Sequence, residues 1–179
     1  MPEIEIRPVN PSDYLFLENL EHYFQTNYVW QMDRSVEDDQ VSVRFRTVHL
    51  PRQVRVDYPH SSELFKEGKK QFTGMLTALH GGNPVGYICM TEQLAASTAW
   101  IKQLVIQERM RRQGIASALV LAAQDWAIQK KYRRIILEMQ SKNYPGIKLS
   151  KKLGFEFCGY NDHYYSNQDI VVLFARLLR

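Results

Sequence analysis

The residues best suited to do chemistry cluster in Arg109-Met110-Arg111-Arg112-Gln113-Gly114-Ile115-Ala116. An apolar run, Leu104-Val105-Ile106, precedes them, and a long amphipathic segment follows. The order predicts a strand, a tight basic turn with a glycine, and a helix start. Such a turn aims backbone N–H groups, the positive end of the helix dipole and arginine side chains at one point, which is chemistry for holding a phosphate. Two other phosphate loops are excluded on residues. A Walker-type loop needs Lys-Ser/Thr after its last glycine, and Ile115-Ala116 stand there. A dinucleotide fingerprint needs three spaced glycines, and Gly114 is alone in this turn.

A second candidate is Glu138, in Leu137-Glu138-Met139-Gln140, an acidic residue in an otherwise apolar strand-like run. Burying a carboxylate without a partner is costly, so this one has either a cationic neighbour or a task such as taking a proton. The histidines His22, His49, His60, His80 and His163 lack metal-ligand spacing, and no metal is expected. His163 falls in an aromatic run near the expected substrate mouth. Cys89 and Cys158 lie in apolar strand-like surroundings and read as buried, inert thiols. No nucleophile triad is visible.

These groups need a scaffold. The chain has 179 residues, 45% apolar and 23% charged, with a formal charge of +4. It reads as one domain, 1–179, with a sizeable core. No apolar run is long enough for a membrane span, and the first residues resemble no signal peptide, so the expectation is a cytoplasmic protein. The basic balance suits an acidic cofactor. Nucleic-acid binding lacks a recognition helix or an RNP-like aromatic pattern. Strands are expected at 3–8, 40–56 (unbroken, or split near Pro51), 75–80, 85–90, 100–106, 134–139, 155–165 and 170–178. Helices are expected after Pro11-Ser12-Asp13, at 61–70, at 115–130 and at 144–153, and residues 27–40 read as a loop. Gly81-Gly82-Asn83-Pro84 is a hairpin signal. The fold class is α/β (α+β): a mixed sheet, helices on both faces, and a parallel β-α-β unit whose strand ends point at the basic turn.

In that setting, Arg111-x-x-Gly114-x-Ala116 resembles the acyl-coenzyme-A motif Gln/Arg-x-x-Gly-x-Gly/Ala of the GNAT N-acetyltransferases. A second stretch, Asn143 through Lys152-Leu153-Gly154-Phe155, is similar to that family's Asn…Tyr-x-Lys-x-Gly-Phe segment. The expected strand and helix order agrees over nearly the whole chain. The resemblance implies a GNAT-like, mostly antiparallel sheet with acetyl-CoA as cofactor. The amides of Arg112, Gln113, Gly114, Ile115, Ala116 and Ser117, with Arg111 or Arg112, would hold the pyrophosphate. The backbone of Leu104, Val105 and Ile106 would pair with the pantetheine arm. Asn143 would contact that arm, and Lys152, Lys148 or Lys151 would meet the 3′-phosphate.

The same resemblance makes two departures visible. The family's strand glutamate corresponds to Lys102, so Glu138 becomes the candidate base. Its tyrosine acid corresponds to Ser150, which leaves Ser150 itself or a nearby tyrosine (Tyr144, Tyr160, Tyr164 or Tyr165) as the acid, with Tyr165 taken first. Within the family the chain is similar to streptothricin acetyltransferases and to ribosomal-protein alanine acetyltransferases. The expected activity is acetyl transfer by direct attack of a primary amine on a small cationic molecule. Tyr28, Trp30 and Tyr58, with Asp33, Glu37, Asp38 and Asp39, would face that cation. Alternatives are a protein or peptide N-terminal or lysine acetyltransferase and a non-catalytic acyl-CoA-binding module. Expected partners are a small-molecule amine or a peptide, with no nucleic acid and no membrane. A homodimer is the oligomer to test.

Overall fold

The computed structural model describes residues 2–59, 72–92 and 97–179. The strands are β1 (Glu5–Pro8), β2 (Tyr23–Val36), β3 (Val41–Asp57), β4 (Gly74–His80), β5 (Asn83–Glu92), β6 (Thr98–Ile106), β7 (Arg134–Gln140), β8 (Glu156–Asn161) and β9 (Val171–Leu177). The helices are α1 (Tyr14–Glu18), α2 (Ile115–Gln129) and α3 (Tyr144–Lys152). Seven strands form one sheet in the order β1-β4-β5-β6-β7-β9-β8, and β2 and β3 form a separate two-stranded ribbon. Among the described strands only β6 and β7 pair in parallel; the other neighbours are antiparallel.

The mixed sheet follows from residues that are apolar on both faces. Along β5, Ile88 and Met90 pack with Leu119, Val120 and Ala123 of α2, while Tyr87 and Cys89 pack with Leu17 and Leu20 at α1. Helices therefore cover both faces, as expected. The helical spacing of 115–130 is realised as α2, whose buried stripe is Ile115, Leu119, Val120, Ala123 and Ala127.

Two expectations need correction, and one left open is settled. Residues 27–40, read as a loop, belong mostly to the fourteen-residue strand β2. Their polar sequence carries no period of its own. The strand is fixed by cross-strand pairing with β3, from Tyr23 beside Asp57 to Val36 beside Val41. Pro51 does not split β3, because the ladder skips the residues around it between the Thr26–Val54 and Tyr28–His49 pairs, where no N–H is needed. Cys158 is exposed, lying in a bulge of the edge strand β8, and only Cys89 is buried. The helix expected at 61–70 lies outside the described residues.

A candidate acyl-CoA and acceptor cleft

The parallel pairing of β6 with β7 runs from Thr98 beside Arg134 to Ile101 beside Leu137 and then stops. Past that point the strands part, and a cleft of about 840 Å³ opens between them. Its walls are Ile101 to Ile106 on one side and Leu137 to Gln140 on the other. The amino ends of α2 and α3, Phe24, Gln25 and Tyr58 from the ribbon side, and Tyr165 complete it.

At one end lies the basic turn. A 3-10 turn, Glu108–Met110, leads into Arg112 with φ +63° and Gly114 with φ +89°. This left-handed backbone turns the chain into α2, whose first residues Ile115, Ala116 and Ser117 face the cleft. Helix geometry leaves the first N–H groups, including those of Ile115, Ala116 and Ser117, without an intrahelical acceptor. Among the described residues no side chain caps them, and all three residues line the cleft. An uncapped helix start of this kind has the donors and the dipole to hold an anion.

Both arginines line the cleft, but their side chains differ. Arg111 donates from Nε to the Ile106 carbonyl at 2.9 Å and from an η nitrogen to the Glu21 carbonyl at 2.9 Å. It fastens the end of β6 to the chain entering β2. Arg112 is exposed and lines the cleft. Gln113 turns to solvent, its side chain donating to the Arg109 carbonyl, and lies off the cleft wall.

Along the wall, Leu104, Val105 and Ile106 all line the cleft, on the stretch of β6 beyond its pairing with β7. Opposite them, Asn143 caps α3, its side-chain oxygen accepting from the Gly146 N–H at 2.9 Å. Gly146 has to be small: a Cβ there would stand 2.9 Å from the Met139 sulfur and 3.0 Å from the Asn143 amide. Lys148 and Lys152 line the cleft, whereas Lys151 lies over the Trp30 ring.

A buried ion pair, Lys102–Glu138, lies in the cleft wall. The ladder between β5 and β6 pairs Cys89 with Gln103 and Met90 with Ile101, so Lys102 is the extra residue of a β-bulge. Its Nζ donates to Glu138 Oε2 at 2.5 Å. The Glu138 side chain is 1% exposed and that of Lys102 17%. The buried glutamate thus has a partner, and that partner is the residue standing where the family's carboxylate was expected. The rings of Trp100 and Tyr164 lie 5.3 and 6.0 Å from the same ammonium.

Tyr165 is the tyrosine on the wall near Glu138. Burial, and then the Glu138 charge, push its phenol well above the usual range, so it stays protonated. A buried polar cluster holds the loop that carries it. Gln140 Nε2 donates to Asp169 Oδ2 at 2.8 Å, Lys142 pairs with the other Asp169 oxygen, and the Tyr165 amide donates to the Asp169 carbonyl.

Other expected site residues lie elsewhere. Ser150 is fully buried in α3, off the cleft, its hydroxyl donating to the Gly146 carbonyl one turn back. Its role is helical, which removes it as the acid. Asp33 pairs with Arg46, Glu37 closes the ribbon tip against Gln40, and none of the acidic residues 33–39 lines the cleft. Tyr28 packs on His49 and Tyr144, and Trp30 packs on Phe45 and Phe174; of that aromatic set, Tyr58 reaches the cleft. His163 is exposed beside Asp162, away from the wall. Among the described residues no cluster fit for a metal ion occurs.

Sequence reasoning missed Phe24, Gln25, Gln103 and Gln140. Misreading β2 hid the first two. Gln103 accepts from the Tyr87 hydroxyl at 3.0 Å, and that hydroxyl also meets His22 Nε2 at 3.0 Å. A fully buried tyrosine between a strand glutamine and a histidine carries no sequence signal beyond its alternation.

The chain is similar to known proteins in both sequence and fold. The family model described as "Acetyltransferase (GNAT) family" matches residues 37–155. Streptothricin acetyltransferase of Streptomyces lavendulae is 26% identical over 90% of this chain and 86% of its own length. An N-alpha-acetyltransferase of Sulfurisphaera tokodaii is 29% identical over 79% of this chain and 88% of its own. Among solved structures, a nourseothricin acetyltransferase superposes with a TM-score of 0.82 at 18% identity, over 98% of this chain and 99% of that one. A putative streptothricin acetyltransferase from Bacillus anthracis, solved with acetyl coenzyme A, gives 0.79 at 18% identity, over 99% of each chain. The chain therefore belongs to the acetyltransferase (GNAT) family: it is an N-acetyltransferase, and its acetyl donor is acetyl-CoA.

Proposed function

We propose that the protein acetylates a primary amine of a small cationic molecule, by direct attack of that amine in the cleft between β6 and β7. The observation that carries this reading is the Glu138 carboxylate, buried in the cleft wall with a primary ammonium already against it. A free amine must lose a proton before it can attack, because an alkylammonium has a pKa of about 10. Glu138 exchanges Lys102 for the incoming ammonium and accepts its proton. The parted edge of β6 at Leu104, Val105 and Ile106 receives the pantetheine arm as an added strand would. The amides of Gly114 to Ser117, with Arg112, take the pyrophosphate, and Asn143 and Lys152 bound the other side. Arg111 keeps the turn in register rather than binding phosphate.

Tyr165 contributes at the leaving group. A thiol has a pKa of about 8.5 and leaves readily. A phenol held far above its usual range therefore contributes a hydrogen bond rather than a full proton transfer.

The test is an amine panel with acetyl-CoA, read by release of free thiol. Turnover with small polyamines, aminoglycosides or streptothricin-like amines supports the reading. Turnover only with peptides favours an N-terminal acetyltransferase, a reading that the similarity to the Sulfurisphaera protein supports. Saturable acetyl-CoA binding with no turnover on any amine would leave a binding module.

A further inference from the structure

We infer that Lys102 is itself an acceptor: when no substrate amine is present, the enzyme acetylates the Lys102 Nζ and so marks and silences its own cleft. The inference rests on acetyl-CoA occupying the cleft as proposed above. Three observations carry it. Lys102 is the bulged residue of β6, and it lines the cleft immediately before Gln103, Leu104 and Val105 of the same wall. Its nitrogen touches Glu138 at 2.5 Å, the carboxylate to which the substrate's ammonium would otherwise give its proton. The pair is almost wholly shielded from water, which favours reaction over solvation of the amine. The protein thus carries a primary amine, with a base in contact, on the wall that would hold the thioester. Such proximity raises the effective concentration of the reacting group far above that of any free lysine.

The step balances without a further reactant. The Lys102 nitrogen forms a bond to the acetyl carbonyl carbon, and the carbon–sulfur bond breaks. Of the two protons the ammonium gives up, one leaves through Glu138 to solvent and the other ends on the departing thiolate as free coenzyme A thiol. The product is a neutral amide. It ends the ion pair with Glu138 and leaves the buried carboxylate without its cation. The acetylated protein should therefore be less heat-stable than the unmodified one and unable to use Glu138 as before. An abundant acceptor amine protects Lys102 by consuming the acetyl group first, which couples the enzyme's competence to the supply of its substrate.

The experiment incubates the full chain with acetyl-CoA alone, and measures acetyl-CoA binding, the intact mass, the modified position by peptide mapping, and the melting temperature. The expected result is one added acetyl group on Lys102, with a lowered melting temperature and slower modification when an acceptor amine is added. Glu138→Gln should slow Lys102 acetylation about 100-fold while leaving background acetylation of exposed lysines such as Lys130 unchanged. Lys102→Arg should remove the modification while keeping the charge that the fold needs. Binding without acetylation of Lys102 overturns this inference and leaves the proposed function standing. Acetylation of Lys102 at the same rate in heat-unfolded protein overturns it as well. Absence of binding overturns both together.

Discussion

The Lys102 ammonium meets the Glu138 carboxylate at 2.5 Å just where β6 parts from β7, one step beyond the last parallel pair, Ile101 beside Leu137. A cation and an anion separated by thirty-six residues become one unit because a bulge turns Lys102 toward the cleft. Removing either member should therefore have effects of different kinds. Glu138→Gln keeps shape and neutralises the base, and should lower kcat by about 100-fold or more with acetyl-CoA affinity unchanged. Lys102→Met removes the ammonium from a buried carboxylate and should cost about 3 kcal/mol of stability, measured by urea unfolding. Unaltered turnover of the Gln variant across about pH 6 to about pH 9 would remove Glu138 as the base.

The arginines of the basic turn should separate in the same manner. Arg112→Gly suits the left-handed backbone at φ +63° and removes only an exposed charge. It should leave stability intact and weaken acetyl-CoA binding roughly tenfold at low salt, an effect that fades as salt rises. Arg111→Ala releases the Ile106 and Glu21 carbonyls. Its first effect should be a lowered unfolding midpoint, by about 1–3 kcal/mol. Titration calorimetry and denaturant melts distinguish the two outcomes.

Ser150→Ala tests the reassignment of Ser150. The hydroxyl bonds a carbonyl of its own helix inside a fully buried site. The variant should lose about 1 kcal/mol of stability and keep its kcat. A collapse of kcat with stability preserved would return Ser150 to the chemistry. Tyr165→Phe is the counterpart. It should lower kcat modestly, and the wild-type enzyme should show no alkaline limb from this phenol, since burial holds it protonated.

Stability should fall on the acid side. Burial lowers the pKa of His22 from its ordinary value of 6.5, so the folded protein holds it neutral while the unfolded chain binds the proton more readily. A depressed folded pKa means that the stabilising contribution is complete above pH 6.5 and is lost as pH falls through the lower folded value. Asp13, held below the usual carboxylate range chiefly by its hydrogen bond to Arg7, adds a second loss at still lower pH. His22→Gln should flatten the first of these losses in unfolding midpoints measured from neutral to mildly acidic pH.

Thiol reactivity separates the cysteines. Cys158 is exposed in its bulge, while Cys89 is fully buried and its thiol is pushed far up by burial. A thiol reagent should modify Cys158 in the native protein and reach Cys89 only on unfolding.

The basic turn, the amphipathic stripe of α2, the apolar runs of β5 and β7, and the hairpin at Gly81-Gly82 were legible because each is written in local spacing. A period of 3.6 or 2, a lone glycine after arginines and a run of β-formers need no distant partner to be recognised. Glu138 also stood out alone, as a charge in an apolar strand. What the sequence could not carry was everything settled by pairing between distant segments. The strand at Tyr23–Val36 exists because β3 lies beside it, so its polar residues announced a loop. The hydroxyl of Ser150 looked like site chemistry until packing buried it against a backbone carbonyl of its own helix. By itself the sequence determined that a strand, a basic turn and a helix start follow one another around Gly114. Only the tertiary structure decided that Lys102 and Glu138 share one buried ion pair on the wall beside it, because strand register and a one-residue bulge are properties of two chain segments together and of neither alone.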